Sequence, residues 1–323
     1  VQNYTEEEFI AGWGQFLPFF IKDGVEVVND AKGGRSSRLF INEGRFDNIE
    51  KNISAGDYLL IEFCHNDDAS KEYKTMFNRL TPLGEPDSDG RFPIIPGEAM
   101  PKDYIPPEYI DALRKDENVK DKQAVLDSVY KILESYPHDT YYPYSADGSK
   151  GTYLWFLKQF VDMAREKGAV PVFVTAPART VYDANGNIKD GAGLHGGNNF
   201  AYIRAMKQLG EEAKVPVIDL FAYSCGLYKQ IGKEKIHWIT SIKKGCNKGI
   251  WPDDFNSEMQ KKETVSEDTH FNKYGAMLIT QGLVKLIKES DSSQLDGLKG
   301  MLKNPDGIDI EKYVKKPLVF EKF

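Results

Sequence analysis

The chain has 323 residues, of which 41% are hydrophobic, 12% aromatic and 28% charged, and its formal net charge is −7. This length and apolar content are enough to bury a sizeable core, and they exclude a disordered or fibrous chain. The acidic balance and the lack of a Lys/Arg stripe argue against nucleic acid as a partner. The longest apolar runs, such as 16–21, are too short to span a membrane.

Short β-rich runs alternate along the chain with longer segments of helical periodicity. The predicted strands lie at 25–29, 58–63, 170–174 and 215–220. The predicted helices lie at 120–135, 152–167, 201–214 and 271–288. Because the strands are apolar almost throughout and helices follow them, the pattern predicts an α/β fold with a mostly parallel sheet covered on both faces.

Two stretches interrupt this alternation. Residues 68–150 are rich in Pro, Asp and Tyr and contain one clear helical pattern, and residues 226–262 have no strand pattern. Neither stretch has the composition of a linker, and the chain has no internal repeat. We interpret 1–323 as a single domain with insertions at about 68–150 and 226–262, near the face where the strands end.

The three cysteines are too few for a disulfide framework. Cys225 and Cys246 could pair if the protein is exported, whereas free buried thiols are the simpler interpretation. No Cys or His spacing is typical of a structural metal site, so we expect no structural metal.

Three polar clusters lie beside the predicted strand ends, at 33–37, 64–67 and 266–272. Ligands of parallel sheets bind beyond the carboxyl ends of the strands, so these clusters are candidates for one site. A glycine N–H and an asparagine amide could both donate to a developing oxyanion. A histidine closely preceded by carboxylates could act as general base for a hydroxyl nucleophile.

The order of these blocks resembles that of the SGNH (GDSL-type) hydrolases, and within them the rhamnogalacturonan acetylesterase-like carbohydrate esterases. The matching runs are AGWGQ at 11–15, VNDAKGGRSSR at 28–38, GDYLLIEFCHND at 56–67 and DTHFNKYGA at 268–276. The resemblance covers roughly 1–67 and 151–288. It implies a three-layer, flavodoxin-like α/β sandwich.

The resemblance also implies roles for individual residues. Gly34 would supply its backbone N–H, and Asn66 its side-chain amide, to an oxyanion hole, while His270 would be the general base. The family's orienting aspartate stands three residues before this histidine, where this chain has Glu267, and Asp268 is the alternative. Cys64 replaces the glycine that usually opens the third block, which we expect to alter packing and not to supply a thiol nucleophile.

Three further residues lie in segments expected to reach a sugar substrate: Trp13, Arg179 and His195. They could stack on the sugar or hydrogen-bond to it. For Trp13 a place in the core is an equally good interpretation.

The family's nucleophile is the serine of a Gly-Asp-Ser block, and this block does not occur among the 323 residues. The resemblance implies that the block and its central strand come directly before a segment like 1–4, so we expect both to lie upstream of Val1. Ser36 and Ser37 are the nearest hydroxyls to the other blocks, but the family uses that turn for the oxyanion hole.

We therefore expect a serine esterase that removes acetyl groups from plant cell-wall polysaccharide, rhamnogalacturonan first and xylan second, through an acetyl-enzyme intermediate. This mechanism implies no metal and no cofactor. The implied location is secreted or periplasmic, and the oligomeric state stays open. The alternatives are a catalytically inactive carbohydrate-binding relative and an SGNH lipase or lysophospholipase.

Overall fold

The computed structural model of the chain describes residue 3 and residues 10–68, 72–189, 198–242 and 266–314. The chain divides into two compact units. Unit 1 comprises Val1–Gly33, Pro177–Lys189 and Ile218–Phe323, and unit 2 comprises Gly34–Ala176 and Asp190–Val217. The interpretation of 1–323 as one domain with two insertions stays a prediction.

Helices and strands alternate through the described residues. The helices are α1 (Trp13–Phe16), α2 (Ser37–Asn42), α3 (Arg45–Asn52), α4 (Tyr73–Arg79), α5 (Pro107–Lys115), α6 (Lys122–Ser135), α7 (Tyr153–Glu166), α8 (Ala201–Ala213), α9 (Leu220–Ile231), α10 (Lys273–Glu289) and α11 (Asp296–Met301). The strands are β1 (Tyr58–Ile61), β2 (Met100–Pro101), β3 (Thr140–Tyr141), β4 (Val170–Val174), β5 (Val217–Ile218), β6 (Thr240–Ile242) and β7 (Ser266–Phe271). None of these helices combines the length and apolar character that crossing a bilayer requires.

The main sheet has the strand order β1-β4-β5. β1 and β4 pair in parallel, from Tyr58 opposite Val170 to Ile61 opposite Phe173. Four of the five residues of β4 are buried, as expected for a strand covered on both faces. The buried stripe of α7 packs against β4, and α8 packs against α7. The predicted α/β fold with a parallel central sheet is confirmed.

The strand predicted at 25–29 is wrong. This segment has no strand pairing within the described residues, and the side chains of Val25 and Val28 are 36% and 67% exposed. Asn29 instead donates from Nδ2 to Asn3 Oδ1 at 2.8 Å. A strand requires a hydrogen-bonding partner and a buried face, and a run of valines alone provides neither.

The stretch 68–150 contains more helix than its pattern indicates, because α4 and α5 accompany α6. The Pro106-Pro107 pair suggests a loop, yet Pro107 is the first residue of α5, where a missing N–H costs nothing. These helices and the antiparallel pair of β2 and β3 enclose an aromatic core. Its buried members include Phe77, Tyr109, Leu113, Val129, Leu133, Tyr136, Tyr141 and Tyr144.

In unit 1, β7 pairs antiparallel with β6 and connects directly to α10. Asn272 caps α10 by accepting from the Gly275 backbone N–H at 2.9 Å. Its amide donates to the carbonyl oxygens of Trp238 at 2.7 Å and Thr240 at 3.2 Å. One buried side chain thus ties the end of β7 to the segment that leads into β6.

Candidate active site

Gly34 lies in the turn before α2 with φ +77°, in the left-handed region that favours glycine. A Cβ at this position would lie 3.2 Å from Arg79 Nη2. The Gly34 backbone N–H makes no hydrogen bond to any residue that the structure describes, and the residue is partly exposed. This N–H is therefore available to a ligand.

Asn66 lies in the turn that follows β1. Its Nδ2 donates to the backbone oxygen of Arg35 at 3.3 Å, and its Oδ1 accepts from Arg79 Nη1 at 3.3 Å. Because Arg35 directly follows Gly34, the structure brings these two predicted oxyanion donors together in unit 2. The second Nδ2 hydrogen has no acceptor among the described residues.

The two serines after Gly34 are engaged in the structure of this turn. Ser36 caps α2 by accepting from the Leu39 backbone N–H at 3.1 Å. Ser37 donates its hydroxyl to Asp67 Oδ1 at 2.6 Å, and both serine residues are fully buried. Burial and these bonds argue against either hydroxyl as the nucleophile.

Arg38, which ends the GGRSSR run, is 1% exposed. Its guanidinium donates to the carbonyl oxygens of Phe77, Leu80 and Tyr142 at 2.7 to 2.9 Å. Burial lowers the pKa of Arg38 from its ordinary value. Arg38 thus fastens α2 to two segments of the 68–150 stretch, a role that sequence reasoning missed because its partners are carbonyls distant in sequence.

Asp67 connects the Asn66 turn to α2. Its Oδ1 accepts from the Ser37 backbone N–H at 2.9 Å as well as from the Ser37 hydroxyl. The side chain is fully buried, and Oδ2 has no hydrogen-bond partner in the described part of the chain. Burial raises the pKa of Asp67 to about 7, although the hydrogen bonds from Ser37 and the charge of Arg38 act in the opposite direction.

This raised pKa predicts a pH-dependent stability. The folded protein holds the Asp67 proton more tightly than the unfolded chain does, so the stabilisation is complete below pH 4 and disappears as the pH rises through 7. The resulting loss of unfolding free energy is up to about 4 kcal/mol. The unfolding free energy, measured by urea denaturation between pH 4 and 8, should therefore change less with pH in Asp67→Asn than in the wild type. An equal pH dependence of the two unfolding free energies would contradict this prediction.

Cys64 is buried, with 3% of its surface exposed. Burial and the nearby carboxylates, Asp67 first among them, raise the pKa of the Cys64 thiol well above its ordinary value. A neutral buried thiol is a packing group, which supports the expectation that Cys64 is not a nucleophile. Cys246 lies outside the described residues.

His270 and Asp268 lie in β7 of unit 1, two residues apart and so on one face of the strand. Asp268 Oδ1 accepts from the Thr269 hydroxyl at 2.8 Å and lies 3.7 Å from Arg179 Nη1. The Asp268 carbonyl accepts from the Thr180 backbone N–H at 2.8 Å. The structure thus brings the predicted residues Arg179 and Asp268 together, and His270 stands two positions further along β7. The side chain of Glu267 lies outside the described part.

Two of the predicted substrate-binding residues remain, Trp13 and His195. Trp13 is 8% exposed, and its carbonyl accepts from the buried Thr280 hydroxyl at 3.1 Å. This burial favours the core interpretation of Trp13, and its contact with a sugar stays a prediction. His195 lies outside the described residues.

No group of three or more potential metal ligands occurs in the portions of the chain described above. Two sets of polar groups are therefore left as candidates for chemistry. One is the pair of donors at Gly34 and Asn66 in unit 2, and the other is the His270 group with Asp268 and Arg179 in unit 1.

Comparison with known proteins gives extended sequence similarities, although no protein-family model matches the chain. The chain is 30% identical over 280 residues to a protein named rhamnogalacturonan acetylesterase RhgT from Bacillus subtilis strain 168, which covers 87% of this chain and 82% of the relative. It is 28% identical over 290 residues to the probable rhamnogalacturonan acetylesterase YesY of the same strain, covering 90% and 88% of the two chains.

A solved structure has a related fold. The crystal structure of the Bacillus subtilis protein YxiM superimposes with a TM-score of 0.51 at 18% sequence identity, covering 91% of this chain and 55% of YxiM. The chain thus spans about half the length of YxiM. At this identity the similarity supports the fold.

Proposed function

The chain belongs to the rhamnogalacturonan acetylesterase-like family of SGNH hydrolases and is a carboxylic ester hydrolase, and from this premise we propose that it removes acetyl groups from a pectic polysaccharide through an acetyl-enzyme intermediate. Rhamnogalacturonan is the first candidate substrate and acetylated xylan the second. A polymer of this kind is met outside the cytoplasm, so we propose a secreted or periplasmic location.

In the proposed first step a serine oxygen attacks the acetyl carbonyl carbon while His270 takes the hydroxyl proton. The carbonyl oxygen becomes an oxyanion, which accepts hydrogen bonds from Gly34 N–H and Asn66 Nδ2–H. Collapse breaks the bond to the sugar oxygen, which takes the proton from His270. Water then attacks the acetyl-enzyme by the same route and releases acetate.

The observation that carries this proposal is the pair of available donors in unit 2. Gly34 N–H has no acceptor among the described residues, and Asn66 Nδ2 retains one hydrogen beyond its bond to the Arg35 carbonyl. Preorganised donors of this kind stabilise a developing oxyanion by roughly 3 kcal/mol each. Both residues are partly exposed, so a bound ester can reach these donors.

Two components of the mechanism stay predictions. The nucleophile is expected to be a Gly-Asp-Ser serine, and burial of Ser36 and Ser37 argues against a substitute at the Gly34 turn. The orienting carboxylate for His270 is either Glu267 or Asp268. Asp268 Oδ1 already binds Thr269 and faces Arg179, which supports the notion that Arg179 restrains this carboxylate.

Product release from a substrate panel tests the proposal. The full-length protein is incubated with acetylated rhamnogalacturonan, acetylated xylan and lysophospholipid vesicles, and released acetate and fatty acid are measured. We expect acetate from the pectic polymer at the highest rate, a lower rate from xylan, and no fatty acid.

The other outcomes distinguish the alternatives. Release of fatty acid at the highest rate would contradict the proposal and indicate a lysophospholipase. Binding of the polysaccharide without any release of acetate would contradict it in favour of a non-catalytic carbohydrate-binding protein.

A further inference from the structure

Arg79, the last residue of α4, lies beside both proposed oxyanion donors. Its Nη1 donates to Asn66 Oδ1 at 3.3 Å. Its Nη2 lies 3.2 Å from the point that a Cβ on Gly34 would occupy, so the guanidinium packs against the open side of this glycine. Arg79 thus contacts both halves of the donor pair.

The guanidinium of Arg79 and the Arg35 carbonyl favour the same orientation of the Asn66 amide. An arginine carries donors only, so the amide atom that faces it must be the acceptor Oδ1. The Asn66 Nδ2 is then held on the opposite side of the amide, where it bonds to the Arg35 carbonyl and keeps its second hydrogen for a ligand. Without Arg79, only the bond to the Arg35 carbonyl would oppose a half-turn of the amide, which would present an oxygen where a donor is required.

The position of Arg79 is costly for the protein. Its Nε is buried and has no hydrogen-bond partner among the described residues. Burial and then repulsion by Arg35 lower the pKa of Arg79 from its ordinary value, against the weaker influence of Glu72 and Glu43. Charged groups kept in unfavourable places cluster at functional sites.

We propose that Arg79 is a positioning residue of the ester hydrolase, which fixes the Asn66 amide with Nδ2 directed to the developing oxyanion. This inference rests on the proposed function, since it assigns a task to a residue beside the proposed oxyanion donors. Arg79 belongs to the 68–150 stretch, which contains none of the sequence blocks that resemble the family.

A double-mutant cycle tests whether Arg79 acts through Asn66. We expect Arg79→Gln to lower kcat for acetate release by roughly 10- to 100-fold with little change in KM, since a misplaced group costs this much in the transition state. In an Asn66→Ala background the same substitution should change kcat less than about twofold. Equal losses in both backgrounds would overturn the inference.

Two further variants help to interpret the result of this cycle. Arg79→Lys retains a donor, so we expect it to recover most of the lost kcat, and Arg79→Met replaces Arg79→Gln in the cycle if the glutamine variant does not fold. Arg114→Gln is the matched control, because the Arg114 side chain is 74% exposed on α5. A loss of rate confined to acetyl esters of uronate sugars, with acetyl esters of neutral sugars unaffected, would overturn the positioning role. It would indicate that Arg79 binds a substrate carboxylate.

A spectroscopic measurement separates failure of this inference from failure of the proposed function. The side-chain amide signal of Asn66 in the nitrogen–proton NMR spectrum is assigned by its absence in Asn66→Ala. We expect this signal to shift or broaden in Arg79→Gln. An unchanged signal would overturn the inference, even for a protein that releases no acetate.

Discussion

Replacing His270 with alanine is expected to lower kcat for acetate release by about 10⁴-fold or more, because the nucleophilic hydroxyl then loses its general base. KM should change little, since the proposed role of His270 is confined to proton transfer. The side chain lies on β7 and is only partly buried, so the fold should tolerate its truncation. Initial rates of acetate release and a thermal melt of the variant check both parts.

His138→Ala is the matched control for this prediction. His138 is 52% exposed and lies in unit 2, where its Nε2 is 2.6 Å from Asp47 Oδ2. We expect wild-type acetate release from this variant, because surface ion pairs contribute little to either stability or chemistry. If His270→Ala retained the wild-type rate, His270 would not be the base and the proposed mechanism would be refuted.

Gly275→Ala is expected to have the largest effect on stability. A Cβ on Gly275 would lie 2.0 Å from the backbone oxygen of Ile239, a distance at which the backbone itself must move. Overpacking against a fixed backbone atom in a buried position costs about 3 kcal/mol or more. Since α10 follows β7 directly, the same movement should also lower acetate release. The urea midpoint and the rate measure the two effects.

Gly300→Ala is the control, because it adds the same methyl group to another helix. Gly300 lies in α11, and a Cβ there would meet no atom within 4 Å. Its substitution should change the unfolding free energy by less than about 1 kcal/mol, in the stabilising direction. Equal urea midpoints for the two variants would contradict the close approach of α10 to Ile239.

The sequence predicts well those elements whose pattern is long and buried. The helix expected at 152–167 is observed as Tyr153–Glu166, and the strand expected at 170–174 is observed with the same bounds. The strand expected at 25–29 fails because two exposed valines have no sheet face to cover. Local periodicity reports the burial of a face, and it carries no information on whether a pairing partner exists.

The residues of the candidate site are predictable where they lie in the sequence blocks that resemble the family. The motif order pairs Gly34 with Asn66, and the structure brings them together through the Arg35 carbonyl. Arg79 is not predictable in this way, because it lies in a stretch without motifs. Its contact with Asn66 depends on where the fold places the end of α4. Arg38 is missed for the same reason, since its partners become neighbours only in the tertiary structure.

The mechanism proposed for this esterase stabilises the oxyanion with Gly34 N–H and the Asn66 amide. Its test is the initial rate of acetate release from acetylated rhamnogalacturonan, compared between the wild type and Asn66→Ala. We expect release by the wild type and a rate lower by roughly 10²- to 10³-fold in the variant, whose fold is unchanged. A folded Asn66→Ala that releases acetate at the wild-type rate would contradict it.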